Sequence, residues 1–210
     1  MIQKIKSKVN QLKINRYITK YEENLQKRIK NSDFTILASN CAAGIIYNRL
    51  GMKFLSPTIN MWFKQEDFIK FCTNLEHYVS TELEFVELAD FNFPTAKLGD
   101  IYLYFNHSKT QEEAKESWDK RKKRINYDNL YILMYDRGNL PKEEYLKLNK
   151  VKCKNKIVFT NNKDFDVDFA YYIKPNLEKE NGDSYLDRDE MTLTTLEKKW
   201  DFVKWLNCEE

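Results

Sequence analysis

Phe34-Thr35-Ile36-Leu37-Ala38-Ser39 leads through Asn40-Cys41 into Ala42-Ala43-Gly44-Ile45-Ile46-Tyr47-Asn48-Arg49-Leu50, and Gly51 follows. The six apolar and β-branched residues at 34–39 predict a buried strand. The stretch from Ala42 to Leu50 predicts a short helix that Gly51 stops. A strand that turns directly into a helix is the opening half of an α/β unit, and the alternation continues along the chain. Residues 56–63 read as a loop or short strand. Residues 65–79 read as a helix with Phe68, Phe71, Cys72, Leu75 and Val79 on one side. Strand-like runs follow at 83–88, 97–106, 130–135, 156–160 and 169–173. Thr110-Gln111-Glu112-Glu113 opens a capped helix that extends to about Ile125, 141–148 reads as another, and 194–206 as a last one.

These patterns predict an α/β three-layer sandwich with a mostly parallel or mixed central sheet, preceded by an N-terminal amphipathic helix. Residues 1–31 form the helical extension and 32–210 a single α/β domain. In open α/β sheets ligands gather at the carboxyl ends of the strands. The chemistry-bearing residues fall there: Asn40 and Cys41 after the first strand, His107 and Ser108 after the third, Asp136 and Arg137 after the fourth, Asn161 and Asn162 after the fifth.

Charge is distributed unevenly. Nine basic residues against Glu22 and Glu23 give residues 1–30 a net of +7, which leaves −4 of the whole-chain +3 for the rest. Ile2, Ile5, Val9, Leu12, Tyr17, Tyr21, Leu25 and Ile29 recur at helical steps, with a break expected near Asn15. Such a segment packs on its own domain or on a second copy of the chain, or lies on an anionic membrane surface. The small overall charge and the lack of a recognised motif argue against nucleic acid. The longest apolar run falls far short of the ~20 residues that span a bilayer. The expected location is therefore cytoplasmic, either free or peripheral on the inner membrane face.

Cys41, Cys72, Cys153 and Cys208 lack the spacing of a zinc site or a disulfide framework, which predicts free thiols and no metal centre. Cys41 faces the positive end of a helix, which favours its nucleophilic anion. The turn that carries it lacks the glycine spacing of a dinucleotide or phosphate loop, so no cofactor is identified. His107 can serve as a general base near neutral pH, while His77 reads as a surface residue. Arg121 and Arg124, three apart on one helix face, can grip phosphates or carboxylates. Asp164, Asp166 and Asp168 resemble the spaced carboxylates that hold a metal, but alternating acids of this kind are more often solvated.

Ser39-Asn40-Cys41, Gly44, Leu50-Gly51, Ser56-Pro57 and Asn60-Met61-Trp62-Phe63 form one block of a pattern that continues through His107-Ser108 and Trp118 to Asn129. It runs on through Asp136-Arg137, 155–160, Tyr171-Tyr172-Ile173-Lys174 and 203–207. This pattern resembles the bacterial family called domain of unknown function 1919, whose members are often labelled exopolysaccharide biosynthesis proteins. The resemblance implies a cytosolic α/β protein tied to capsule or exopolysaccharide synthesis. Ala42-Ala43 stands where the family carries an aromatic residue and an extra glycine, which weakens any role that needs a wide turn or a stacking ring there.

The expectation is a transferase, foremost of glycosyl transfer from a nucleotide sugar to a saccharide acceptor, with acyl or phosphoryl transfer open. His107 or Asp136 would deprotonate the acceptor, Arg121, Arg124 and Lys174 would offset phosphate charge, and Asn40 and Asn126 would orient sugar hydroxyls. Cys41, Asn60 and Arg137 complete the expected substrate contacts. The alternative is a non-catalytic saccharide-binding or assembly protein in which Trp62 and Trp118 offer aromatic platforms.

Overall fold

A computed structural model describes residues 2–138, 140–173 and 194–209. In chain order the elements are α1 (Ile2–Arg28), β1 (Thr35–Ala38), α2 (Ala42–Arg49), α3 (Gln65–Thr73), α4 (Leu75–Ser80), β2 (Glu84–Val86), β3 (Thr95–Leu98), β4 (Ile101–Tyr104) and α5 (Gln111–Lys122). They continue with β5 (Leu130–Tyr135), α6 (Lys142–Leu146), β6 (Asn155–Thr160), β7 (Ala170–Tyr172), α7 (Thr195–Lys199) and α8 (Phe202–Leu206). The chain packs as two compact units. One comprises Met1–Ser32, Ile46–Lys53 and Asn176–Glu210, the other Asp33–Ile45 and Phe54–Pro175.

The larger unit carries both sheets. β1, β5, β6 and β7 form a parallel sheet in that order, and β2, β3 and β4 form an antiparallel one. The fold is α/β with a mostly parallel principal sheet and an N-terminal helix, as the alternation of patterns predicts. Every residue of β1 and β5 is buried, as expected of strands whose runs are apolar without alternation. β1 stands last in its sheet, so its outer edge needs cover. The 55–58 segment supplies it: Ala38 N–H donates to Thr58 Oγ1 (2.9 Å) and Thr35 Oγ1 donates to the Leu55 carbonyl (2.9 Å).

The 97–106 segment belongs to a hairpin in the second sheet, not to the parallel one. Gly99, at φ 63°, opens the two-residue turn between β3 and β4, where Leu98 pairs with Ile101. The adjoining Asp100 carboxylate accepts from Lys70 Nζ and Tyr78 Oη, both at 2.7 Å. Lys70 first and Tyr78 second hold its pKa down at about 2. This depressed carboxylate contributes stability that is present above the ordinary carboxylate range and lost as pH falls toward about 2. Both partners of the Lys70 pair are exposed, so the contribution is about 0–1 kcal/mol. Thermal melts of Asp100→Asn should therefore lie slightly below wild type at neutral pH and converge on it in acid.

Trp62 and Phe63 join the two sheets. Trp62 pairs with Tyr104 through backbone bonds in both directions (3.0 and 3.1 Å), and Phe63 N–H donates to the Ser39 carbonyl (3.1 Å). The end of β4 is thereby tied to the carboxyl end of β1. The core beneath includes Phe68, Phe71, Leu103, Trp118, Ile132 and Tyr145.

Three helical expectations are corrected. The 65–79 helix is two helices, because Asn74 (φ −138°, ψ 47°) leaves helical geometry. The 194–206 helix is also two: Trp200 is extended, and Asp201 caps α8 by accepting from Val203 N–H and Lys204 N–H. α1 runs unbroken past Asn15, whose side chain accepts from Gln11 Nε2 (3.0 Å) one turn earlier.

In the smaller unit Arg49 is buried between two carboxylates, with Nε donating to Glu197 (2.6 Å) and a terminal nitrogen to Glu22 (2.9 Å). Thr194 and Glu197 form a reciprocal capping box at the start of α7. Arg28 pairs with Asp201, and Lys30 N–H donates to Asn207 Oδ1 (2.9 Å). Among the described side chains of α1, Leu25 is buried, whereas Leu12 and Tyr17 are 68% and 45% exposed. From Leu12 onward, the apolar side predicted from sequence is thus only partly covered.

Candidate functional site

The strand-to-helix turn after β1 brings together what the chain separates by 66 residues: Cys41 Sγ lies 3.1 Å from His107 Nε2. Cys41 precedes the first turn of α2, and its carbonyl accepts from Ile45 N–H (3.3 Å). His107 arrives on the turn after β4, where Ser108 N–H donates to the Phe105 carbonyl (3.0 Å). The imidazole is exposed and the thiol half-buried. A thiol in hydrogen-bond reach of an imidazole is the minimal nucleophile-and-base arrangement.

Asn40, the residue before the thiol, is buried at 5% exposure. Its Oδ1 accepts from Ala42 N–H (3.1 Å), and its Nδ2 has no acceptor among the described residues. Asn60 stands in the left-handed region (φ 61°), which asparagine tolerates. Its Oδ1 lies 3.8 Å from where a Cβ on Gly44 would stand, against the first turn of α2.

Asp136, directly after β5, is buried. Its Oδ1 accepts from Tyr145 Oη (2.6 Å) and Gly138 N–H (2.7 Å), and its Oδ2 accepts from Thr160 Oγ1 (2.7 Å). Gln65 Nε2 extends the network by donating to Tyr145 Oη (2.7 Å). Burial, and after it the hydrogen bond to Asp136, pushes the Tyr145 hydroxyl well above its ordinary range, so it remains a donor. With three donors in place, the Asp136 carboxylate fits a fastener between the ends of β5 and β6, and the exposed His107 is the better-placed base. Arg137, the next residue, is exposed and holds its guanidinium 5.8 Å from the Trp62 ring centre. Trp62 stacks on Tyr104 at 3.9 Å with an 8° tilt.

The remaining predicted residues lie elsewhere. Arg121 donates to the Ile59 carbonyl (2.8 Å) and sits over Phe54, and Arg124 donates to the Phe54 carbonyl (2.9 Å). Both arginines clamp the strap that covers β1. Burial, then the neighbouring Arg124 charge, lowers the Arg121 pKa. Asn126 sits at the opposite end of β1, where its Nδ2 donates to the Asp33 carbonyl (3.1 Å) and its backbone N–H to Thr35 Oγ1 (2.9 Å). Lys174 lies outside the described residues. Trp118 is core, and Asp166 pairs with Lys142 at 3.0 Å. Tyr145, Gln65 and Thr160 carry no motif of their own. Only a buried carboxylate in need of donors could have pointed to them.

The family model described as Domain of unknown function (DUF1919) matches residues 12–207. An uncharacterized protein of Haemophilus influenzae is 32% identical over 217 residues, covering 98% of this chain and 97% of its own. The chain belongs to the DUF1919 family.

Proposed function

We propose that this DUF1919 member is a transferase of bacterial surface-polysaccharide synthesis in which Cys41 carries an acyl group from a thioester or ester donor to a saccharide hydroxyl. The observation that supports this reading is the 3.1 Å approach of Cys41 Sγ to His107 Nε2 at the carboxyl end of β1. In the first step the thiol proton passes to His107 and the sulfur attacks the donor carbonyl. The leaving group departs with that proton, and an acyl-cysteine remains. In the second step His107 takes the proton of the acceptor hydroxyl, the alkoxide attacks the thioester, and the Cys41 thiolate leaves and is reprotonated. The turn that carries Cys41 also holds the buried Asn40 Nδ2, which has no acceptor among the described residues.

The test is intact-mass analysis after incubation with acetyl-CoA or p-nitrophenyl acetate. One acetyl adduct mapped to Cys41 is expected. Absence of an adduct with both donors would overturn the reading. Glycosyl transfer from a nucleotide sugar is the second reading, favoured by Arg137 over the Trp62–Tyr104 stack, which offers a cation and an aromatic face. It would use His107 as base and leave Cys41 unmodified. A thermal shift with nucleotide sugars, combined with no adduct, would select it.

The proposed workplace is the cytoplasmic membrane face, with residues 1–30 against anionic lipid. No helix among the described residues is long and apolar enough to cross a membrane. Support comes from the +7 of that segment and from its exposed Leu12 and Tyr17. Reversing the exposed Lys13, Arg16 and Lys20 to glutamate is preferable to deletion, because Glu22 and Leu25 pack within the fold. At roughly 1 kcal/mol per basic residue, the triple variant should lose at least about 100-fold in binding to phosphatidylserine vesicles. Unchanged sedimentation would rule the contact out.

A further inference from the structure

We infer that the cleft between the 86–94 loop and the start of α5 is the seat of the acceptor, and that the acceptor is a neutral, polyhydroxylated ring of the carbohydrate class. This inference rests on the Cys41–His107 transfer reading. The cleft has a volume of about 650 Å³, within the range of roughly 300–1,000 Å³ typical of small-molecule sites. It shares a chain segment with the candidate base: Lys109, on its wall, is two residues from His107, and Phe105 N–H donates to the carbonyl of Pro94, also on the wall (2.9 Å).

The lining selects the ligand. Phe91 and Phe93 are only half-buried, with ring centres 5.1 Å apart, in a loop without regular structure. Phe91 packs edge-on against Trp62 (5.9 Å) and Tyr104 (5.1 Å), which links the cleft to the aromatic stack beside Arg137. Around these rings stand the exposed Glu87 carboxylate, the Asn92 and Gln111 amides and the Lys109 ammonium. A fatty chain calls for continuous apolar walls, and a nucleotide calls for several convergent cations. One lysine and one carboxylate on the wall, with two amides and two aromatic faces, suit a ring that offers C–H groups on its faces and hydroxyls around its edge.

The experiment uses the full chain with p-nitrophenyl acetate as donor probe and maltose, lactose, cellobiose and N,N′-diacetylchitobiose as acceptor probes. The initial burst of p-nitrophenol scores the Cys41 reading alone, and the subsequent steady rate scores the acceptor step. At least one disaccharide should accelerate the steady rate saturably. Phe93→Ala should raise its half-saturating concentration about tenfold, equivalent to about 1.4 kcal/mol, while Phe93→Tyr should retain wild-type saturation. A burst without saturable acceleration by any of the four, or with equal acceleration in Phe93→Ala, would overturn the cleft assignment and leave the Cys41 reading standing. If no burst occurs, the acceptor role falls with the Cys41 reading, and tryptophan fluorescence titration with the same sugars tests the carbohydrate site alone. Saturable quenching lost in Phe93→Ala upholds it, and no quenching overturns it.

Discussion

Cys41→Ala is expected to abolish adduct formation with acyl donors, a loss of roughly 1,000-fold or more, and His107→Ala to slow it by roughly 100- to 10,000-fold. The two effects should not add, because thiol and imidazole act as one unit across their 3.1 Å contact. Neither variant should unfold the protein: the imidazole is exposed, and Cys41 is half-buried at a turn held by Phe63 N–H on the Ser39 carbonyl and Ala42 N–H on Asn40. Melting temperatures close to wild type alongside lost labelling would separate chemistry from folding. Equal labelling of wild type and Cys41→Ala would place the reactive group elsewhere.

Asp136→Ala should produce the largest change in stability. The substitution removes the acceptor for Tyr145 Oη and Thr160 Oγ1, which are 0% and 1% exposed, and for Gly138 N–H. Two buried hydroxyls left without an acceptor cost about 1–3 kcal/mol each, so a loss of about 2–6 kcal/mol is expected. It should be read as a fall in the urea midpoint at constant slope. Asp136→Asn keeps one acceptor oxygen, and the Thr160 hydroxyl can turn to accept from the new amide, so its loss should be smaller. A loss below about 1 kcal/mol for the alanine variant would show that the network contributes little to holding β5 against β6.

How far the sequence could be read depended on range. β1, β5 and the 157–160 part of β6 were legible because these runs are buried within the sheet without alternation. The start of α5 was legible because Thr110 caps it by accepting from Glu113 N–H, as the local spacing required. β3 was not separated from β4, since the residues between them are only Gly99 and Asp100 and the run reads as one strand. The breaks at Asn74 and at Trp200-Asp201 were hidden by apolar positions that keep helical spacing across them.

The same division holds at the site. Asn40, Cys41 and His107 were recognisable as residues that end strands, but their convergence depends on the Trp62–Phe63 tie between the sheets, which no local pattern encodes. Arg121 and Arg124 do share a helix face, as their spacing required. Their partners are the carbonyls of Ile59 and Phe54, and backbone acceptors carry no signature in the sequence. Phe91 and Phe93 carry no signal in the sequence, because half-burial is a tertiary property.

Activation of Cys41 by His107 is tested by the rate of Cys41 alkylation with iodoacetamide across pH 5 to 9, followed by peptide mass spectrometry in wild type and His107→Ala. Cys208, exposed on the same chain, is the internal reference. At neutral pH Cys41 should react faster than Cys208 in the wild type despite being less exposed, and His107→Ala should remove this advantage while leaving Cys208 unchanged. Cys41 reacting no faster than Cys208, with the same rate in both proteins, would contradict this activation.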